Sequence, residues 1–180
     1  MPSRAQVARE TAFLGQPLIY AKDGKLHGCG VRVFATEAPT QEGAPIFALD
    51  TSIQLDLQLG GMFVKFTAFR AKFRNGKFES RAIEQVERGW FRVDGTSPTK
   101  PKDGKVIATV EPVGGVMYRT EQLEDFQMLT AIVAGKTMEL GLKLKGDTGD
   151  TVRFGPVQLS EAEKDRFQAC IADLMAEAKK

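Results

Sequence analysis

The chain is 180 residues long, which suits one domain with its own core, and no apolar run in it reaches the length of a membrane span. With 42% hydrophobic and 27% charged residues it has the balance of a globular chain, not of a disordered one. A formal net charge of +2 speaks against a surface that holds nucleic acid or an anionic membrane by charge.

The opening, MPSRAQVARETAFLGQ, lacks the apolar core of a signal peptide. Two origins fit it: a cytosolic protein, or the mature part of an exported one. Residues 1–15 read as a flexible or weakly structured arm of a single domain covering 1–180. KLHGCGVRV then holds the only histidine, His27, and the first of two cysteines. Alternation puts Cys29 on one face with Val31, Val33 and Ala35, the apolar face of a strand.

The clearest strand is IFALDTSIQLDLQL. Phe47, Leu49, Ile53, Leu55, Leu57 and Leu59 alternate with polar residues, and Gly60-Gly61 follows as a two-residue hairpin turn. Pairing across that turn sets Leu57 opposite Val64, Leu55 opposite Phe66 and Ile53 opposite Ala68. The apolar phase changes at Phe69, which suggests a β-bulge or bend near Ala68. Asn75-Gly76 marks a second hairpin pairing Phe73 with Phe78 and Lys72 with Glu79, so residues 46–82 form a three-strand meander. SRAIEQVERG fits a short helix or a continued strand. WFRV is a strand, DGTSPTKPKDG a loop, and KVIATV and VMYR short strands about Gly114-Gly115.

From Thr120 the period becomes helical, with Leu123, Phe126, Leu129, Ile132 and Val133 on one stripe and Gly135 as its C-cap. Glu121, Glu124 and Asp125 suit its first turn. TMELGLKLK and TVRFGPVQL pair across GDTGD. Ser160 and Glu163 then form a capping box before a helix whose stripe is Phe167, Cys170, Ile171, Leu174 and Met175. This order predicts a mainly β fold, an antiparallel sandwich or strongly bent sheet, with two short helices and the last docked on the sheet.

Cys29 and Cys170 both face inward, which fits a disulfide; closing a loop of roughly 140 residues would contribute about 5 kcal/mol in the chain-entropy model. Two buried thiols are the alternative. A disulfide implies an oxidising compartment, periplasmic or secreted; reduced cysteines would leave the chain cytoplasmic. His27 with Cys29 falls short of the three or four protein ligands that zinc takes. The glycine pairs lack the context of a phosphate loop, and no G-x-S-x-G is present. No catalytic residue, metal or cofactor is therefore expected, and a small metal-dependent or hydrolytic enzyme around His27 ranks last.

Packing leaves three features unexplained: the loop 94–104, the aromatic pair Trp90 and Phe91, and the basic residues Arg70, Lys72 and Arg74. These form the candidate binding surface for an unknown protein or small ligand. KFTAFRAKFRNGKF interleaves basic and aromatic residues, yet its phenylalanines fit a core face, and nucleic acid is not the expected partner.

Residues 121–178, LEDFQMLTAIVAGKTMELGLKLKGDTGDTVRFGPVQLSEAEKDRFQACIADL within them, run helix, Gly135-Lys136, alternating strand, turn, strand ending in Leu-Ser, and a helix with Phe-x-x-Cys. This ending resembles the invasion-associated locus B family and is similar to small periplasmic accessory proteins of type VI secretion. The resemblance implies an exported bacterial β-sandwich protein that is not an enzyme, and it carries over no functional residue.

Overall fold

A computed structural model describes residues 9–36, 45–74, 77–120 and 122–179. The strands are β1 (Arg9–Glu10), β2 (Phe13–Lys22), β3 (Lys25–Thr36), β4 (Ile46–Asp56), β5 (Gly61–Arg74), β6 (Lys77–Ile83), β7 (Val86–Val93), β8 (Ile107–Ala108), β9 (Val116–Thr120), β10 (Thr137–Leu144) and β11 (Thr151–Gln158). The helices are α1 (Gln122–Val133) and α2 (Glu161–Glu177). One open sheet runs in the order β7-β10-β11-β2-β3-β4-β5-β9-β8, with β1 beside β11 and β6 beside β5. It is mixed, because β11 runs parallel to both β1 and β2. The expected weak arm is structured from Arg9: Phe13, at the start of β2, is fully buried.

The sheet curls until β7, at one end of the order, lies against β5 and β9. Tight packing makes this possible. A Cβ at Gly89 of β7 would sit 2.4 Å from the Phe66 ring, so only glycine lets the two strands approach. Phe66 stacks on Tyr118 at 5.7 Å between centroids. Inside the curl lie Val31, Val33, Leu49, Ile53, Val64, Phe66, Phe91, Met138, Leu140 and Leu142, all at most 2% exposed. Helix α1 reaches β3, β5, β7 and β11, and contributes Met128, Leu129, Ile132 and Val133 to the same core. Its end is the expected one. Gly135 has φ +86°, and the amides of Gly135 and Lys136 donate to the carbonyls of Ile132 and Ala131.

The β4–β5 hairpin is shorter than expected. Strand β4 stops at Asp56, which pairs with Gly61, so Leu55 faces Met62, Ile53 faces Val64 and Leu49 faces Ala68. The turn is Leu57–Gly60: the Asp56 carboxylate accepts from the Leu59 amide at 3.0 Å, and Gly60 takes φ +70°. Leu57 and Leu59 are exposed. The shift from the expected pairing is even, so every β4 side chain keeps its face.

No bulge interrupts β5 near Ala68; its pairing with β4 is continuous from Gly61 to Ala71. The apolar phase changes because both faces of β5 are covered there. Ala68 belongs to the main core, while Ala48, Phe69 and Ala71 join Phe34 and Ile83 in a second cluster on the other side. The register shift lies between Lys72 and Phe73 in the pairing with β6, so Phe73 faces Phe78 as expected but Lys72 faces Ser80, not Glu79. The Asn75-Gly76 turn lies outside the described residues. Residues 80–89 are strand on both sides of Glu84-Gln85, not helix.

Helix α2 packs on β2 and β3. Its capping box is in place: the Ser160 hydroxyl accepts from the Glu163 amide, and the Glu163 carboxylate accepts from the Ser160 amide at 2.7 Å. The Ser160 amide and the Ser160 hydroxyl both donate to that carboxylate and hold it below its usual range. Phe167, Cys170 and Leu174 are buried, but Met175, one step around the helix, is 41% exposed. Cys170 is disulfide-bonded to Cys29 of β3, with Cα atoms 5.9 Å apart across 141 residues of sequence. Replacing both, Cys29→Ala with Cys170→Ala, is expected to lower the unfolding free energy by roughly 3–5 kcal/mol. Urea unfolding of the oxidised and the doubly substituted protein checks this; coincident curves would show that the crosslink contributes nothing.

Candidate functional site

The described members of the expected binding surface do not share one face. Successive side chains on a strand face opposite ways, and on β7 this sends Phe91 fully into the core and Trp90 to the outside. There the indole lies over Gly141, where a Cβ would be 2.1 Å from the ring, and its Nε1 donates to the Asp150 carboxylate at 2.8 Å. Arg88 also bonds Asp150, Arg92 lies over the Trp90 ring at 5.9 Å, and Arg92 pairs with Glu139 at 2.7 Å. These contacts tie β7 to β10 and the loop before β11. The loop 94–104 folds onto the other side: Thr99 is buried, its amide donates to the Phe91 carbonyl, and its hydroxyl accepts from the Phe91 amide. Thr99 and Tyr118 hydroxyls are 2.8 Å apart, and Tyr118 donates to the Gly89 carbonyl at 3.0 Å. The loop thus seals the curl.

On β5, Arg70 pairs with Glu84 at 2.7 Å and covers the Phe47 ring; Lys72 is exposed. The side chain of Arg74 lies outside the described residues. His27 occupies the extra β3 position where the β2–β3 register shifts, between Leu26, which pairs with Ala21, and Gly28, which pairs with Tyr20. Its Nε2 is buried without a hydrogen-bond partner. Cys29 is held in the disulfide and offers no thiolate. Among the described residues no three His, Cys, Asp or Glu side chains converge as metal ligands, and no helix is long and apolar enough to cross a membrane.

One hollow, of about 530 Å³, borders the 94–104 loop at Asp94, Thr96 and Ser97; a roomier concave surface lies on the outer face of β2, β3, β4, β5 and β9. It is an open cleft of about 810 Å³. The register generates it row by row. One row runs Gln16, Arg32, Ser52, Lys65, Met117 and the next Leu18, Gly30, Gln54, Phe63, Arg119. Tyr20 stands beyond Leu18, and Gly28 sits opposite it on β3. Both glycines are buried, with the β4 backbone and, at Gly28, the Tyr20 ring over the place a Cβ would take. Neither can be replaced freely, since a Cβ at Gly30 would lie 2.3 Å from the Ile53 carbonyl oxygen.

The polar groups of the cleft are held in place. Arg32 binds Asp50 through Nε and Nη2 at 2.8 and 2.5 Å, a two-pronged pair with Asp50 largely shielded and Arg32 half exposed. The Thr67 hydroxyl donates to the Asp50 carbonyl, and Lys65 Nζ donates to the Glu111 carbonyl at 2.5 Å. The latter bond pins residues 109–115, whose Glu111 and Pro112 form one rim. Within that rim the Thr109 hydroxyl donates to the Pro112 carbonyl. Partial burial, reinforced by the Asp56 carboxylate, raises the Tyr20 phenol above its ordinary pKa, and Arg32 opposes the shift. Nothing in the hydrophobic periodicity pointed here.

Compared with known proteins, the chain matches no family model, no curated protein and no solved structure.

Tyr118 supplies a pH test of the seal that closes the curl. Burial pushes its phenol up, the Thr99 hydrogen bond lowers it in part, and the Asp125 carboxylate adds to the rise. A phenol raised in the folded state has its stability fully present below the unfolded value, about pH 10, and loses it as pH climbs toward the folded one. The unfolding free energy is expected to fall above about pH 10, with Tyr20 acting in the same sense. Tyr118→Phe is expected to cost about 1–3 kcal/mol at pH 7 and to flatten the alkaline decline. An unchanged decline in that variant would place the titration elsewhere.

Proposed function

We propose that this is an exported, non-enzymatic binding protein whose ligand or partner occupies the cleft on the outer face of β2–β5. The observation that carries the reading is the cleft's construction. Its walls are half-exposed aromatic and apolar side chains, Tyr20, Leu18 and Phe63, and its cations are held in place, Arg32 by the Asp50 carboxylate and Lys65 by the Glu111 carbonyl. Such a surface presents donors and acceptors in a set geometry at little ordering cost. Tied pairs such as Arg32 with Asp50 suit recognition better than proton transfer, which wants a group free to titrate near neutral pH.

Export is supported by the Cys29–Cys170 disulfide, since structural disulfides persist in oxidising compartments. It is supported as well by the resemblance of residues 121–178 to the invasion-associated locus B family, whose members are exported. The cytosolic alternative requires both cysteines to be thiols in the cell. Trapping cells with N-ethylmaleimide before lysis separates the two: the export reading expects no labelled cysteine by intact mass, and labelling at both would overturn it.

The cleft is tested separately. Phe63→Trp in a Trp90→Phe background places the only indole in the groove. Its emission is expected to shift on titration with at least one class of small polar ligand among oligosaccharides, capped peptides and amino acids. Arg32→Ala is expected to weaken that response by about tenfold. Silence across all three classes, or a response indifferent to Arg32, would remove the cleft as the site.

A further inference from the structure

Resting on the binding reading above, we infer that the cleft takes a neutral oligosaccharide. Four classes of ligand chemistry can be weighed against its lining. A nucleic acid or other polyanion needs uncompensated cations. Here Arg32 is neutralised by Asp50, and Lys65 stands beside the Glu111 backbone on a rim that carries the Glu111 carboxylate. A lipid chain would leave Ser52, Gln54 and the Arg32–Asp50 pair without partners, at the full cost of desolvation. An extended peptide gains most of its affinity by pairing its backbone with a sheet edge. The cleft lies on a sheet face, where the amides and carbonyls of β3 and β4 are already spent on their neighbours.

A neutral sugar meets each feature. Its C–H face packs on an aromatic ring, and Tyr20 and Phe63 stand on opposite walls. Its hydroxyls both donate and accept. Ser52 and Gln54 do the same, and the Arg32–Asp50 pair offers guanidinium donors and carboxylate lone pairs side by side. From β2 to β5 there are three strand spacings, about 14 Å in all, a span that fits a short run of pyranose units. Gln54 stands between Leu18 and Phe63 in the same row and sets its amide between the walls. The occupant is therefore an uncharged oligosaccharide lying across the strands, with rings against Tyr20 and Phe63 and hydroxyls on Gln54, Ser52 and the ion pair.

Amide chemical-shift mapping on the oxidised full chain tests this. The probes are N-acetylglucosamine, cellulose-derived and maltose-derived oligomers, with dextran sulfate and a capped tri-alanine peptide as comparators. At least one neutral oligomer is expected to shift amides of β2–β5 around Tyr20, Gly30, Gln54 and Phe63, more strongly as its length grows from one unit to three. Tyr20→Ala or Phe63→Ala is expected to weaken binding by about tenfold without altering the melting temperature appreciably, and Phe63→Tyr to retain it. If either truncation unfolds the chain, Gln54→Ala serves, with the same loss expected. Shifts at these amides from the peptide or the polyanion but from no neutral oligomer would overturn the sugar assignment and leave the cleft as a site. No cleft shift from any probe would overturn both. Oligosaccharide shifts confined to other surfaces would overturn the inference as well.

Discussion

Strand β3 is the constraint on which the structure turns, because its two faces carry two different obligations. On one face Cys29 is joined to Cys170, and Val31, Val33 and Ala35 enter the core. On the other, Gly28 and Gly30 raise no side chain, and Arg32 pairs with Asp50 across to β4. Glycines weaken a strand by entropy and by lost packing. The disulfide, the neighbouring Leu174, and the flanking strands β2 and β4 compensate for that weakness. The helix that closes the fold from behind thereby steadies the backbone under the cleft.

The second constraint is the curl. A sheet of this many strands cannot stay flat, since each pair adds right-handed twist, and here the twist brings β7 onto β5 and β9. The closest approach is set by Gly89 against Phe66, and the polar atoms it buries are satisfied by a short chain: Thr99 to Tyr118 to the Gly89 carbonyl. That arrangement explains why the 94–104 loop is ordered on the core side. It also explains how β5 can serve two neighbours, β9 along residues 62–66 and β6 along residues 69–74. The core is thus enclosed by one sheet wrapped on itself and capped by α1, and the cleft is what remains on the outside of the wrapped central strands.

Much of this was legible in the sequence wherever the signal was local. The capping box at Ser160, the C-cap at Gly135 and the helical stripe through Cys170 depend on residues within two turns of one another. The disulfide was legible because two cysteines faced inward from elements that could be assigned separately. The β4–β5 register was not, because period-two alternation is unchanged by an even shift; an Asp56 carboxylate turning the chain won over a glycine pair. The phase change at Phe69 was visible but ambiguous, since a bulge and a second buried face write the same pattern. Trp90 and Phe91 are adjacent in sequence, but a strand sends adjacent side chains to opposite sides. The cleft was least legible of all. Its residues come from five strands and a rim spread from Leu18 to Met117, and only the pairing order β2-β3-β4-β5-β9 brings them side by side.

The central claim is that the Cys29–Cys170 staple holds α2 and the cleft-bearing strand β3 as one unit. Hydrogen exchange read by mass spectrometry on the oxidised protein, and on the same protein after reduction and alkylation, tests it most directly. The account predicts that reduction speeds exchange in α2 and in β3 together, with β7 and β10 much less affected. Exchange in β3 that stays as slow after reduction as before, while α2 alone loosens, would contradict it.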